Sequence, residues 1–288
     1  MREKCIICGS TDLLLKKYNQ HIKVNHTLKQ KVKKFIKKII KRNSTMFNGY
    51  VDICNSCGYG AMENIPNVNE LQKYYNTQYW DWRATNVTEI PIDGYKNDDR
   101  ANTQIQLVLE YLPDINNVLE VGAGGAFASL KLRDFFKEKN KKVDLYVCEP
   151  GKQWVEYYKT QEIIRIAEFF PFFSDIKFDY IHTSHWLEHI TDVRQTVKEL
   201  SGLLNENGYL FIEVPNTGKN YWDLDFEDIP HIHFFTKFSL QKLMENNGFD
   251  CLYIEEYGVT HQEYYLMHHL NNYNKQENGI WIRAIFRK

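Results

Sequence analysis

The sequence predicts an α/β protein built on a doubly wound sheet that is mostly parallel. From about residue 102 onward, short apolar runs alternate with amphipathic stretches at the spacing of strand–helix–strand units. A glycine-rich turn follows the first apolar run, as it does in nucleotide-binding sheets. Of the 288 residues, 43% are hydrophobic and 25% are charged, which provides for a buried core and excludes a disordered or collagen-like chain.

The sheet is predicted to contain seven strands, with the seventh at the end of the chain. The strands cover residues 117–121, 143–148, 163–167, 178–183, 209–214, 250–256 and 280–286. Helices are predicted at residues 104–111, 127–137, 192–204 and 238–247, with one more between the second and third strands. We therefore assign residues 101–288 to one ligand-binding domain and residues 67–100 to a linker or lid.

Two closely spaced cysteine pairs precede this domain. Cys5-x-x-Cys8 and Cys54-x-x-Cys57 are each followed by a glycine, which tolerates the positive φ that such a turn needs. Four thiolates can close a tetrahedral site around Zn²⁺ and leave no open position, so the pattern favours a structural zinc ribbon within residues 1–66. Because 45 residues separate Cys8 from Cys54, two unrelated pairs or one redox pair are the alternatives.

A basic segment fills the gap between the cysteine pairs. The formal net charge of the chain is −1, but the stretch from Thr27 to Ser44 carries eight basic residues and no acid. The remainder of the chain has 28 basic and 37 acidic residues, a net charge of −9. An apolar stripe predicts an amphipathic helix at about residues 28–43, formed by Val32, Phe35, Ile36, Ile39 and Ile40.

This basic helix has three interpretations. It packs its stripe on its own protein, lies on an anionic membrane surface, or steers an anionic substrate. Nucleic acid is a weaker candidate partner, because the rest of the chain is acidic and lacks a nucleic-acid motif. No apolar run is long enough to span a membrane, and no apolar signal core precedes the first cysteine. We therefore expect a cytoplasmic protein, with peripheral contact to the inner membrane face through the basic helix.

The glycine loop indicates which nucleotide-like ligand the sheet binds. Its sequence is Glu120-x-Gly122-x-Gly124, and a dinucleotide fingerprint would place a third glycine where Phe127 stands. No Gly-Lys-Ser/Thr follows, so the loop is not a P-loop. A second acid, Glu149, ends the next strand, where a carboxylate can accept hydrogen bonds from vicinal ribose hydroxyls. Acids beside the loop suit a cationic ligand rather than a diphosphate.

The later strand ends carry FDYIHTSHWLEH at 178–189, NENGYL at 205–210 and the pair Pro215-Asn216. With LEVGAG at 119–124 and Glu149, these motifs resemble those of class I S-adenosylmethionine-dependent methyltransferases over roughly residues 100–288. The resemblance implies a Rossmann-like seven-stranded sheet. The N-terminal cysteines, and the aromatic pairs at 74–75 and 79–80, resemble the zinc-ribbon module and lead-in of bacterial sugar methyltransferases. The basic insertion, and Ala126 in place of a glycine, depart from the family pattern.

The resemblance also implies roles for individual residues. Gly122 and Gly124 would approach the methionine part of the cofactor, Glu120 would support the loop or the amino group, and Glu149 would hold the ribose. Glu168 with Phe169 would contact the adenine, although Glu168 is equally explained as a solvated loop acid. The full set expected to bind S-adenosylmethionine is Tyr79, Glu120, Gly122, Ala123, Gly124, Glu149, Pro150, Glu168, Phe169 and Ser184.

Transfer of a methyl group to a hydroxyl needs alignment and a general base, for which histidine is suited near pH 7. The candidate catalytic residues are His185, Glu188, His189, His231 and His233, with His231 or His233 as the base. A helical turn would place His185, Glu188 and His189 on one face. A catalytic divalent metal is the alternative, because the motif resembles the Glu-x-x-Glu-His site of ubiquinone-type and small-RNA methyltransferases. Here His185 replaces the first glutamate.

The leading hypothesis is methylation, favouring O-methylation, of a sugar, nucleotide sugar, glycan or similar small polar acceptor in surface-glycan biosynthesis. Segments 218–230 and 264–269 are expected to line the acceptor pocket. One alternative is an RNA methyltransferase that grips RNA with the ribbon and the lysine-rich helix. Another is a non-catalytic binding module, against which the intact glycine loop and Glu149 argue. A dehydrogenase is disfavoured by Phe127.

Overall fold

The computed structural model describes residues 2–18, 47, 49–79, 90–218, 221–224, 230–267 and 272–288. The basic helix predicted at residues 28–43, and with it the predicted membrane contact, lies outside the described residues. Parts of the two predicted acceptor-pocket segments lie outside them as well. No helix in the described part of the chain is both long enough and apolar enough to cross a membrane.

The main sheet has seven strands, as predicted. They are β4 (Asn117–Val121), β5 (Asp144–Cys148), β6 (Ile164–Ala167), β7 (Phe178–Ser184), β8 (Leu204–Pro215), β10 (Asp250–Thr260) and β11 (Gly279–Arg287). Along the sheet the order is β10-β11-β8-β7-β4-β5-β6; six strands run in the same direction, and β11 runs antiparallel to β10 and β8 on either side of it. The central residues of β4, β7, β8 and β11 are almost wholly buried, which explains why the sequences of these strands contain apolar runs.

Helices connect the strands and cover the sheet. The α-helices in chain order are α1 (Val68–Tyr74), α2 (Asp99–Leu109), α3 (Phe127–Glu138), α4 (Val155–Thr160), α5 (Val193–Leu203), α6 (Lys237–Glu245) and α7 (His261–Met267). Side-chain caps fix several starts: Asp98 accepts a hydrogen bond from the Ala101 N–H, and Asp192 accepts from two N–H groups of α5.

Strand β8 and helix α7 are among the elements that differ from the sequence-based expectation. Strand β8 begins at Leu204, directly after α5, and is five residues longer at its start than predicted. Helix α7 was not predicted. It follows β10 at once, because the Glu263 carboxylate accepts a hydrogen bond from the Thr260 N–H and so caps the first turn.

A second, four-stranded sheet carries the cysteine pairs. Its order is β1 (Leu13–Tyr18), β2 (Gly49–Cys54), β3 (Gly60–Met62) and β9 (His233–Phe234), all antiparallel. The fourth strand comes from the C-terminal half of the chain and lies beyond the residues 1–66 predicted for the ribbon. The buried ribbon cysteines also share one hydrophobic cluster with Leu240 and Leu243 of α6. The ribbon is therefore packed directly on the main domain.

Candidate active site

The glycine loop lies at the carboxyl end of β4 and needs glycine at Gly122. The Gly122 N–H donates to the Cys148 carbonyl over 2.9 Å, and its φ is +69°. A Cβ at this position would lie 2.9 Å from the Trp186 ring, so a side chain does not fit. A Cβ at Gly124, by contrast, would meet no atom within 4 Å. The glycine loop is thus closely packed against Trp186 at Gly122, whereas the space next to Gly124 is open.

Two buried carboxylates support this loop. Glu120 accepts hydrogen bonds from the Ser129 N–H (3.2 Å) and hydroxyl (2.5 Å), which joins β4 to the first turn of α3. Burial raises the pKa of Glu120 to about 7. Glu149 accepts from the Gly124 N–H (2.9 Å) and the Gly151 N–H (2.7 Å), one on each oxygen. Each Glu149 oxygen keeps a further lone pair, so the carboxylate can accept two hydroxyl groups of a bound ribose.

Arg165, which the sequence analysis did not identify, holds the chain that follows β5. Its guanidinium donates to the backbone carbonyls of Glu149 (2.8 Å) and Pro150 (3.2 Å). It also pairs with Glu168 at 3.2 Å, and the Glu168 side chain is exposed. Phe169 beside it is half-buried. Glu168 therefore has an ion-pair partner on the rim of the predicted adenine site.

The structure places the predicted cofactor residue Tyr79 next to the ribbon. It lies in a single π-helical turn, Tyr75–Tyr79, with its ring centroid 4.9 Å from that of Tyr75 and 6.1 Å from that of Tyr74. The same aromatic cluster contains Phe47, Tyr221 and Phe234. This cluster packs beside the segment that precedes β9.

His185 follows the carboxyl end of β7 in a left-handed conformation, with φ of +52°. Such a backbone is strained for a non-glycine residue and is typical of functional sites. The His185 N–H donates to the Glu213 carbonyl over 2.8 Å. Burial, aided by the positive charge of Arg100, holds the pKa of His185 well below its usual value. The ring therefore stays neutral at pH 7. Because of this backbone, His185 does not share a helical face with Glu188 and His189, contrary to the sequence-based expectation.

The candidate catalytic residues nevertheless come together around one carboxylate. Glu188 lies in a 3₁₀ turn, Leu187–His189, and its side chain is 1% exposed. Its Oε1 lies 3.3 Å from His185 Nδ1, 3.5 Å from His189 Nε2 and 3.8 Å from His231 Nε2. His231 reaches the cluster from the segment before β9. The four residues His185, Glu188, His189 and His231 are called the histidine cluster below.

One hydrogen bond fixes the orientation of His189 in the histidine cluster. Its Nδ1 lies 3.2 Å from the Pro230 carbonyl, to which only a protonated nitrogen can donate. Nε2, which lies 3.5 Å from Glu188 Oε1, is then the ring nitrogen that can bind a cation. The nitrogens of His189 and His231 and the Glu188 carboxylate lie within 4.8 Å of one another, so these three residues can hold a cation.

His233, the other predicted base, has both ring nitrogens in hydrogen bonds. Nδ1 pairs with the Tyr59 hydroxyl at 2.6 Å, and Nε2 pairs with the Ile190 carbonyl at 3.0 Å. Burial, aided by the charge of Arg2, lowers the pKa of His233 to about 3. His233 thus links the ribbon to the chain that follows the histidine cluster.

A buried ionic cluster beside His185 was missed by sequence reasoning. The Glu213 carboxylate accepts from Arg283 Nε (2.5 Å), Arg100 Nε (2.8 Å), Gln104 (2.9 Å) and the Ser184 hydroxyl (2.9 Å). Glu213 and Arg283 have no exposed side-chain surface. Burial opposes ionisation, but the two guanidinium groups hold the pKa of Glu213 well below its usual range. The cluster fastens α2 to β8 and β11 and fixes Ser184 at the end of β7.

The four cysteines of the ribbon converge on one point. Cys5 Sγ lies 3.6 Å from Cys57 Sγ, and Cys8 Sγ lies 3.5 Å from Cys54 Sγ. All four sulfur atoms lie within 4.8 Å of one another. Zinc–sulfur bonds of about 2.3 Å in a tetrahedron require sulfur separations of about 3.8 Å. The cluster can therefore hold one Zn²⁺ without rearrangement.

Comparison with known proteins identifies the family and the fold. A family model described as a methyltransferase domain matches residues 95–254. The magnesium protoporphyrin IX methyltransferase of Synechocystis, solved with bound S-adenosylhomocysteine, is 11% identical with a TM-score of 0.52, covering 77% of this chain and all of that one. An S-adenosylmethionine-dependent methyltransferase of Clostridium acetobutylicum is 11% identical with a TM-score of 0.50, covering 74% of this chain and 98% of that one. No curated protein sequence matches the chain. At these identities the two structures indicate a shared fold.

Proposed function

The chain belongs to the methyltransferase-domain family and is an S-adenosylmethionine-dependent methyltransferase, and from this premise we propose that it methylates a hydroxyl group of a sugar or a similar small polar acceptor. The observation that carries the proposal is the histidine cluster, which gathers three imidazole rings around one buried carboxylate. Trp186, which lies between His185 and Glu188 in the sequence, packs against Gly122 of the glycine loop. A neutral hydroxyl must lose its proton during methylation, whereas an acceptor that is already nucleophilic does not need such a base. Nucleotide-activated sugars and surface glycans are the acceptors of this class that we propose.

The glycine loop and Glu149 fit the cofactor. The open face above Gly124 accommodates the methionine part, and Glu149 accepts the two ribose hydroxyls. Bound S-adenosylmethionine supplies an electrophilic methyl group on a positively charged sulfur. Ser184 and His185, at the end of β7, border the place where that methyl group meets the acceptor.

We assign the role of general base to His231. Of the two bases that the sequence favoured, His233 has both nitrogens engaged by Tyr59 and Ile190, whereas His231 Nε2 faces Glu188 at 3.8 Å. Accepting the proton of the acceptor hydroxyl turns His231 into an imidazolium ion, and the Glu188 carboxylate stabilises its charge. His185 binds a proton too weakly for this role and stays neutral, so it orients the hydroxyl.

Replacing His231 by alanine tests the assignment. We expect methyl transfer to fall by about 100-fold or more, and added imidazole to restore part of the rate, because the loss is that of a proton acceptor. The measurement follows labelled methyl from S-adenosylmethionine into a panel of UDP- and dTDP-hexoses. The matched variant His185→Ala should slow transfer without rescue by imidazole. Rescue of the His185 variant and none of the His231 variant would move the role of base to His185.

A divalent cation bound by Glu188, His189 and His231 is the second candidate for activating the hydroxyl. The hydrogen bond of His189 to Pro230 favours it, because metal-binding histidines usually donate their other N–H in this way.

Separately, we propose one structural Zn²⁺ on Cys5, Cys8, Cys54 and Cys57, with no part in the chemistry.

Dialysis against EDTA distinguishes the base from the cation. We expect methyl transfer to continue at its original rate while the ribbon keeps its zinc, which a colorimetric zinc indicator monitors in the dialysate. A loss of activity without zinc release, reversed by Mg²⁺ or Mn²⁺, would assign the activation to a cation in the histidine cluster. Binding of S-adenosylhomocysteine, measured in parallel, should not change in either case.

A further inference from the structure

The ribbon sheet continues into the segment that carries His231. Strand β3 pairs with β9 through Gly60 and Phe234 and through Ala61 and His233. The Met62 N–H then donates to the Ile232 carbonyl over 2.9 Å, one residue beyond the strand. His231 is therefore the next residue along a chain that the ribbon holds by backbone hydrogen bonds.

The same segment holds Glu188 from its other side. The Ile232 N–H donates to the Glu188 carbonyl over 2.8 Å. Ile232 thus bonds the ribbon through its carbonyl and the 3₁₀ turn of Glu188 through its N–H. A displacement of β3 would therefore move both the proposed general base, His231, and the carboxylate beside it, Glu188.

Side chains reinforce this connection. The buried Tyr59 hydroxyl lies 2.6 Å from His233 Nδ1, and His233 Nε2 bonds the Ile190 carbonyl, two residues after Glu188. The Thr236 hydroxyl donates to the carbonyl of the zinc-ligand residue Cys57 over 2.8 Å. The chain from Glu188 to Ile190 is therefore bound to the ribbon at two points, by Ile232 and by His233.

We propose that the cysteine ribbon forms part of the active site and that Tyr59 is a positioning residue for methyl transfer. Through His233 and the β3–β9 pairing, Tyr59 fixes the distance between His231 and Glu188. The inference rests on the proposed role of the histidine cluster. A misplacement of about 1 Å at such a site can slow a reaction by about 100-fold, so a residue that never touches the acceptor can govern the rate.

The test compares Tyr59→Phe with Tyr50→Phe in the full chain. Tyr50 lies on the neighbouring strand β2 and is 44% exposed, so its variant serves as the matched control. Long-range ¹H–¹⁵N NMR correlations report the ring nitrogens of His231 and His189, and calorimetry reports S-adenosylhomocysteine affinity. We expect Tyr59→Phe to move the ring resonances of both histidines, to slow methyl transfer tenfold or more and to leave that affinity within about twofold. Tyr50→Phe should change none of the three.

A merely structural role for Tyr59 would lower the melting temperature but leave the ring resonances of the folded protein in place, and that result would overturn the proposal. The NMR readout needs no acceptor, so failure of the sugar proposal would not be mistaken for failure of this one. If Tyr59→Phe does not fold, His233→Gln breaks the same connection from the other side. Unchanged resonances of His231 and His189 in that variant would equally overturn the proposal.

Discussion

Replacing Glu213 by glutamine is expected to destabilise the protein by about 3–5 kcal/mol. Glu213 is the counter-charge of the wholly buried Arg283 and of Arg100. A neutral amide would leave the wholly buried guanidinium of Arg283, and beside it the partly exposed guanidinium of Arg100, without a carboxylate. Urea unfolding followed by circular dichroism measures the loss. Glu206→Gln, at an exposed position of the same strand, is the matched control and should change stability little.

The pH dependence of this effect has a definite sign. The pKa of Glu213 is lowered in the folded state, so its contribution to stability is present above the ordinary glutamate pKa of 4.5. The contribution is lost as the pH falls from there toward the lowered pKa. Wild type and Glu213→Gln should therefore differ most at neutral pH and become more alike in acid. A constant difference from neutral pH down to strong acid would contradict the assignment of charge to Glu213.

Replacing Glu149 by glutamine is expected to weaken S-adenosylhomocysteine binding by about 10- to 100-fold. Hydrogen bonds to a charged group contribute about 1.5–3 kcal/mol, and about 1.4 kcal/mol corresponds to a factor of ten in affinity. The amide keeps one acceptor oxygen but loses the charge and the second acceptor. Wild-type protein at about 100 times the dissociation constant should gain about 2.7 kcal/mol of stability from the ligand, which raises its melting temperature. The variant should gain much less at the same concentration.

Glu156→Gln is the control for this experiment, because Glu156 is exposed and pairs with Lys159 on the surface of α4. It should bind S-adenosylhomocysteine as the wild type does. Burial also raises the pKa of Glu149, so ligand affinity should fall as the pH falls through that raised pKa. Equal affinity of wild type and Glu149→Gln would exclude the ribose contact.

The main sheet could be predicted because its central strands, β4, β7, β8 and β11, contain buried apolar runs and the other strands follow them at strand–helix–strand spacing. Strand β4 ends at the glycine loop and β5 ends at Cys148, directly before Glu149, so the sequence marks both the strand ends and the site that they form. The helix limits were less certain, because caps such as Asp98 are single residues whose role depends on local geometry. The interpretation of Glu188 and His189 as neighbours in the site needed only their short separation in sequence.

The ionic cluster and the fourth ribbon strand could not be predicted in the same way. Glu213 and Arg283 lie 70 residues apart in the sequence, and no local sequence feature indicates that β8 and β11 are neighbouring strands. A signal existed, since each residue is a charged interruption in an otherwise apolar run, but it does not identify the partner. Strand β9 has only two residues, too few for any periodicity, and its pairing with β3 is set by tertiary structure alone.

The pairing of Gly60 with Phe234 has a consequence for how the molecule is made. The ribosome synthesises β1, β2 and β3 long before it reaches β9. The edge of β3 that pairs with β9 therefore stays unpaired while most of the chain is synthesised. Open edges invite pairing with other chains, and such distant contacts form slowly. Early zinc capture by the cysteines would hold the nascent ribbon together during this interval. Expression of residues 1–66 alone should for the same reason yield an aggregation-prone fragment.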